Sequence, residues 1–143
     1  MTTATTIKAK IKSVLGTISE IAQVEDYPNQ DFNQYPAVEI SYDGNASDYL
    51  TNSENDIIFN FTLFIYQLVE GAIDRKKARL ILEELSDTIC DTFDIDEFLN
   101  GISLPANKTM IGVKPTTVKI GESEDGKFTL AELEIAVRVT KNI

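Results

Sequence analysis

Carboxylates are the most plentiful reactive groups in this chain: 23 of its 143 residues are Asp or Glu. Paired carboxylates carry glycosidic hydrolysis, and Asp-x-Asp opens a calcium loop. The run 91-DTFDIDE-97 contains the second pattern, starting at Asp94. A calcium loop beginning there needs an oxygen ligand at position 98 and a glycine at position 99, where the chain has Phe98 and Leu99. The run therefore reads as a solvated helix end. Asp43 and Asp48 in "DGNASD" form another pair that could hold a cation, but two loop carboxylates in so acidic a chain are not a specific signal. The other acids supply many pairs, and nothing in their spacing singles one out.

Other chemistries lack their residues altogether. The chain has no histidine and one cysteine. Zinc sites of the common kinds, Ser-His or Cys-His nucleophiles and a histidine pH switch are thereby excluded, and so is an internal disulfide. Cys90 falls beside apolar residues on a helical pattern, where a thiol acts as a small hydrophobe. No Gly-rich phosphate loop, GxSxG elbow or HExxH motif occurs. The residues point to no catalytic group, cofactor or metal, and an enzyme is not expected.

Charge and hydropathy narrow the partners. With 13 basic residues against the 23 acidic ones, the net charge is −10 at pH 7. Affinity for a phosphate backbone comes largely from Lys and Arg displacing counterions, so nucleic-acid binding is not expected. No segment reaches the roughly 20 apolar residues of a membrane span, and the polar start MTTATT lacks the pattern of a signal peptide. A length of 143 residues fits a single domain with one core.

The elements that would position any site follow from periodicity. Ile7, Ile11, Leu15 and Ile18 recur at helical spacing and predict an amphipathic helix from Thr5 to about Ala22. The stretch 23–36 is rich in turn formers and two prolines, with room for a short edge strand around Val24–Tyr27. Residues 37–43 alternate as a half-solvated strand. The polar residues 43–56 predict a long hairpin loop, with Tyr49 and Leu50 at its tip able to dock elsewhere.

The most apolar stretch follows, "DIIFNFTLFIY" at 56–66, predicting a strand to about Leu68. A turn at Glu70–Gly71 leads to a helix from Asp74 to about Phe93, with Asp74 as N-cap and Ala78, Ile81, Leu82, Leu85, Ile89 and Phe93 as the buried stripe. Thr109–Ile120 is a weaker strand, and its Pro115 favours an edge or a bulge. Asp125–Gly126 in 121-GESEDGK-127 signals a hairpin. The last strand alternates clearly through Ala131, Leu133, Ile135, Val137 and Val139. Helix, strand, strand, helix, strand, strand is an α+β order, an antiparallel or mixed sheet with two helices on one face.

Two features remain unexplained by such a fold. The strand 56–66 presents Ile57, Phe59, Phe61, Leu63 and Ile65 to the helices, and Ile58, Asn60, Thr62, Phe64 and Tyr66 to the other side. That second face mixes aromatics with polar groups, as subunit contacts do. Cover from the N-terminal segment or from Tyr49–Leu50 would account for it within one chain. In addition, Arg75, Arg79, Glu83, Asp87 and Asp91 follow at i,i+4 along the second helix, and only Arg79–Glu83 is an opposite-charge pair. The basic end also lies at the positive pole of the helix dipole. Solvent screening accommodates this if the row is exposed. The alternative is a neighbouring copy supplying the partners head to tail, a contact that closes into a ring when the rotation allows.

The N-terminal amphipathic helix, "YPAVEISYD", the polar loop ending in "TNSEND", "IIFNFTLFIY", the charged helix "ARLILEELSDTICDTF" and "LAELEIAVRV" together resemble the tail terminator (tail completion) proteins of long-tailed bacteriophages. The similarity spans about residues 5–140 and lies in the order and character of the segments. It implies a virion structural protein: a small α+β subunit forming a hexameric ring at the head-proximal end of the tail tube. Such a ring ends tube polymerisation and offers a docking surface to the head connector, with DNA passing through its hole. Its implied partners are further copies of itself, the tube protein and the connector, after assembly in the host cytoplasm. By position, Ile58, Asn60, Thr62, Phe64, Tyr66 and the row Arg75 to Asp91 become candidates for subunit contacts. Tyr49, Leu50, Glu124 and Asp125 become candidates for contacts with tube or connector. A head-closure or adaptor protein of the connector, or a small binding module outside the virion, are the alternatives.

Overall fold

The computed structural model of this chain describes residues 2–28, 31–49, 54–94, 104 and 108–142. Along the chain these form α1 (Thr3–Leu15), β1 (Gln23–Glu25), β2 (Ala37–Tyr49), β3 (Glu54–Leu68), α2 (Arg75–Asp94), β4 (Lys108–Glu122) and β5 (Phe128–Asn142). The strands make one five-stranded sheet in the order β1-β2-β3-β5-β4. β1 runs parallel to β2, and every other pairing is antiparallel. The class is thus α+β with a mixed sheet.

β3 is central because it can be buried on one face along most of its length. It pairs with β2 from Tyr66 to Asn55 and with β5 from Leu68 to Glu54. Phe59, Phe61, Leu63 and Ile65 lie in one apolar cluster with Val38 and Ile40 of β2 and with Ala131, Leu133, Ile135, Val137 and Val139 of β5. The same cluster takes in Ile7, Ile11 and Leu15 of α1 and Leu82, Leu85, Ile89 and Phe93 of α2. The period-two and period-3.6 patterns in the sequence thus meet in one core.

Both helices begin with side-chain caps. The Thr2 hydroxyl accepts a 3.1 Å bond from the Thr5 amide, and Asp74 accepts a 2.8 Å bond from the Lys77 amide. α1 stops at Leu15, short of the Ala22 expected from periodicity. The amide and hydroxyl of Thr17 both turn to the Val14 carbonyl, and the Ile18 amide bonds Leu15, tightening the chain into turns. Ile18 is still buried, so a turn prolongs the apolar rhythm that a helix began. In α2, Ile81 is only half-buried and Ser86 takes the fully buried position instead.

The expected loop 43–56 is mostly strand. β2 continues to Tyr49, which pairs with Asn55, leaving residues 50–53 to connect the arms. A register shift between Tyr42 and Gly44 makes a bulge at Asp43, and Gly44 supplies the positive φ of 107°. Turn-former composition misleads here because β3, itself held by β5, supplies the pairing that propensity lacks. β4 is an edge strand, as Pro115 predicts, with shifts between Met110 and Gly112 and between Thr117 and Lys119. Strand directions put the β2–β3 connection and the β4–β5 turn at opposite ends of the sheet, about 50 Å apart for strands of 15 residues.

Candidate functional site

Residues opposite the helices alternate with the core residues along each strand and define a back face. In β3 they are Asp56, Ile58, Asn60, Thr62, Phe64 and Tyr66, beside Glu132, Glu134, Ala136 and Arg138 of β5. Polar groups at one end and in the middle of this face are tied down within the chain. Asp56 is buried and accepts bonds from Arg138 and from the Thr140 hydroxyl, the latter at 3.0 Å. Thr62, also buried, donates to Asp43, and Ser41 donates to the same carboxylate at 3.3 Å. Asp43 thus serves the bulge, while the side chain of Asp48, its proposed partner for a cation, lies outside the described part. Among the described residues no group of acids, Cys or His is arranged to hold a metal.

Tyr66 is covered, in part, by its own chain. Its hydroxyl donates a 2.7 Å bond to Glu39, which is 2% exposed. Its ring lies 5.2 Å from that of Phe32, and Tyr35 continues the chain of rings to Phe128 at 5.7 Å. The segment between β1 and β2 is therefore the cover at this end. Burial first, then the bond to Glu39 and its charge, push the Tyr66 hydroxyl well above its ordinary range.

Among the described residues nothing covers the neighbouring surface in this way. Phe64, Tyr66 and Leu130 line an open depression of about 360 Å³, with Lys119, Glu122 and Glu132 among its other walls. A second depression, of about 320 Å³, is lined by Phe32, Tyr35 and Phe128 and shares Tyr66 and Leu130 with the first. Further along, Ile58 and Ala136 line a third with Arg138 and Lys114. Asn60 is exposed. What this face offers is apolar and aromatic surface bounded by charges, suited to binding another surface.

The charge row of α2 divides in two. Arg75 reaches Glu122 at 3.7 Å, while Arg79 meets Glu83 at 3.9 Å and donates to the Ile120 carbonyl at 3.4 Å. The basic half thus finds intrachain partners on β4 that the sequence could not reveal. Asp87 and Asp91 are exposed and have no ion pair among the described residues; Lys76 and Lys77 are likewise exposed and without one. Cys90 is half-buried, and burial is the first cause pushing its thiol up; Asp94, Asp87 and Asp91 also raise it, against a 3.7 Å contact with Thr117. A raised pKa leaves less of the thiolate, the reactive form.

In the β4–β5 turn, Asp125 accepts from the Ser123 hydroxyl at 2.7 Å and the Lys127 amide at 3.0 Å, bonds that hold its carboxyl below the usual range. It shapes the turn, and both it and Glu124 beside it are exposed. Leu50, the side chain of Tyr49, and residues 95–97 of the acidic run lie outside the described residues. Sequence reasoning missed Phe32, Tyr35, Leu130 and Leu80. Leu130 shares the alternation of the last strand and could have been found from it; Phe32 and Tyr35 sit in a turn-rich stretch with no periodicity to mark them.

No protein-family model matches the chain, and no curated protein matches it in sequence. Its fold is similar to that of a chain in the solved structure described as the "Virion of native gene transfer agent (GTA) particle". The TM-score is 0.56 at 11% sequence identity, covering 96% of this chain and 93% of that one. The likeness is one of fold, and it runs through nearly the whole of both chains.

Proposed function

We propose that this chain is a structural subunit of a phage-like virion. It assembles as a homo-oligomeric ring, hexameric by the resemblance, at the head-proximal end of the tail tube. There it ends tube polymerisation and gives the head connector a docking surface. The observation that carries this reading is the nearly full-length likeness of fold to a chain of a gene transfer agent virion. Two features of the molecule support it. Among the described residues the back face leaves aromatic and apolar surface open, and the two long hairpins end at opposite poles of the sheet, giving separate surfaces for tube and connector. The role needs no catalytic group, cofactor or membrane contact.

Deleting the gene from its phage and imaging the lysate by electron microscopy tests the role. Overlong tails are expected. Tails of normal length beside leaking heads would shift the role to head closure, and intact virions would remove the chain from the particle. Native mass measurement of the purified protein supplies the copy number.

A further inference from the structure

Tyr27 and Leu80 are the large hydrophobic residues most exposed on the described surface, at 52% and 53%. Leu80 lies on the outside of α2. Lys76 and Lys77 sit one turn before it and Glu83 and Glu84 one turn after, the spacing that puts all five on one patch. The patch is an apolar centre with a basic side and an acidic side.

The open depression on the back face has the complementary layout. Phe64, Tyr66 and Leu130, all half-buried, form its apolar centre. Glu132 lines it, and Glu134, the next residue on that face, is exposed with no ion pair among the described residues. Lys119 stands at the rim, 76% exposed and 3.7 Å from Glu132. Glu134 is thus available to Lys76 and Lys77, while Glu132 and Lys119, paired with each other within the chain, can exchange that contact for Lys76 or Lys77 and for Glu84.

The two patches cannot meet within one molecule. α2 packs its buried stripe into the cluster formed by Phe61, Leu63, Leu133 and Ile135, whereas Phe64, Tyr66 and Leu130 point from the sheet the other way. A contact between them joins different patches on two copies, is head to tail, and leaves both patches free again at the ends of each dimer. Such a contact propagates, and it closes into a ring when the rotation from copy to copy allows.

We infer that the outer surface of α2 in one copy, centred on Leu80, seats in the Phe64–Tyr66–Leu130 depression of a second copy, the inference resting on the ring reading above. The partner is this same chain, and the contact adds a helical layer to the side of each sheet opposite its own helices. Leu80 is its apolar anchor, and the flanking charges set the register. The positive elements of the contact are Lys76 and Lys77, outside the i,i+4 row, since its Arg75 and Arg79 are engaged at home.

Disulfide trapping and charge reversal test this in the full chain. In a Cys90→Ser background, Leu80→Cys with Leu130→Cys should give an oxidised ladder of linked copies up to the ring, while each single variant stops at dimers. Leu80→Asp, and Lys76→Glu with Lys77→Glu, should each raise the concentration of half-assembly by about tenfold or more. Adding Glu132→Lys and Glu134→Lys to the lysine reversal should restore it. Leu80 lies outside the core, and unchanged circular dichroism and melting in Leu80→Asp will establish that its fold is intact. If the protein forms its oligomer with undiminished affinity as Leu80→Asp and the double cysteine variant gives no ladder, this contact is wrong and the ring reading stands on another surface. If the wild-type chain is monomeric at every concentration and salt, both fall.

Discussion

Replacing Tyr66 with Phe removes one hydroxyl and leaves the ring against Phe32. The lost bond is 2.7 Å long and ends on Glu39, a carboxylate that is 2% exposed. Hydrogen bonds to charged groups contribute about 1.5–3 kcal/mol. Glu39 keeps a further interaction, which places the expected loss near the lower figure. About 1.5 kcal/mol corresponds to a fall of about 5 °C in Tm for a chain of this size. The sign of the pH dependence follows from the raised folded-state pKa of the hydroxyl, whose ordinary value is 10.0. Below pH 10 the stabilisation is fully present; above it the unfolded chain releases the proton first, so stability falls as pH rises. The Tm gap between wild type and Tyr66→Phe should be constant from pH 7 to 9 and narrow above pH 10. Other tyrosines, including Tyr35 with its own burial-raised hydroxyl, titrate in both proteins and cancel. Equal melting of the two proteins at pH 7, or a gap unchanged to pH 11, would refute the account.

Other substitutions probe the scaffold. Phe61→Ala, at a fully buried site in the middle of β3, should destabilise by about 3–5 kcal/mol in urea titration, the range for emptying an aromatic site in a core. Asp74→Ala should lose about 1 kcal/mol with the α2 cap, while Asp74→Ser keeps most of it. Gly126→Ala forces an alanine to φ +71° and sets its Cβ 2.6 Å from an Arg75 nitrogen, so about 1–2 kcal/mol and the Arg75–Glu122 contact should be lost together. Conversely, Ser86→Ala should be neutral or stabilising by calorimetry, because the Ser86 hydroxyl is buried with no hydrogen-bond partner among the described residues.

Much of the fold was legible because burial on one face writes a period into the chain. Phe59, Phe61, Leu63 and Ile65, the alternation from Ala131 to Val139, the Asp74 cap and the edge position of Pro115 are all local consequences of backbone geometry and can be read in order. Where neighbours override local preference, reading failed. Residues 44–49 and 54–56 have loop composition, yet the ladder of β3 with β5 draws them into strands. Ile18 keeps helical rhythm while sitting in a turn.

The candidate surface divides the same way. Sequence alone determined that one side of the strand 56–66 carries Phe64 and Tyr66 away from the helices, because side chains in a strand alternate. It also fixed the acidic balance, the lack of histidine and the reversal of charge along the second helix. Tertiary structure decided that Phe32 closes over Tyr66, that Glu122 and the Ile120 carbonyl answer Arg75 and Arg79, and that Leu130 joins Phe64 in an open depression. Each of these joins residues 30 or more positions apart, across strand pairings and a helix crossing. Local periodicity states which way a side chain points, and only the register and packing of distant elements state what it meets there.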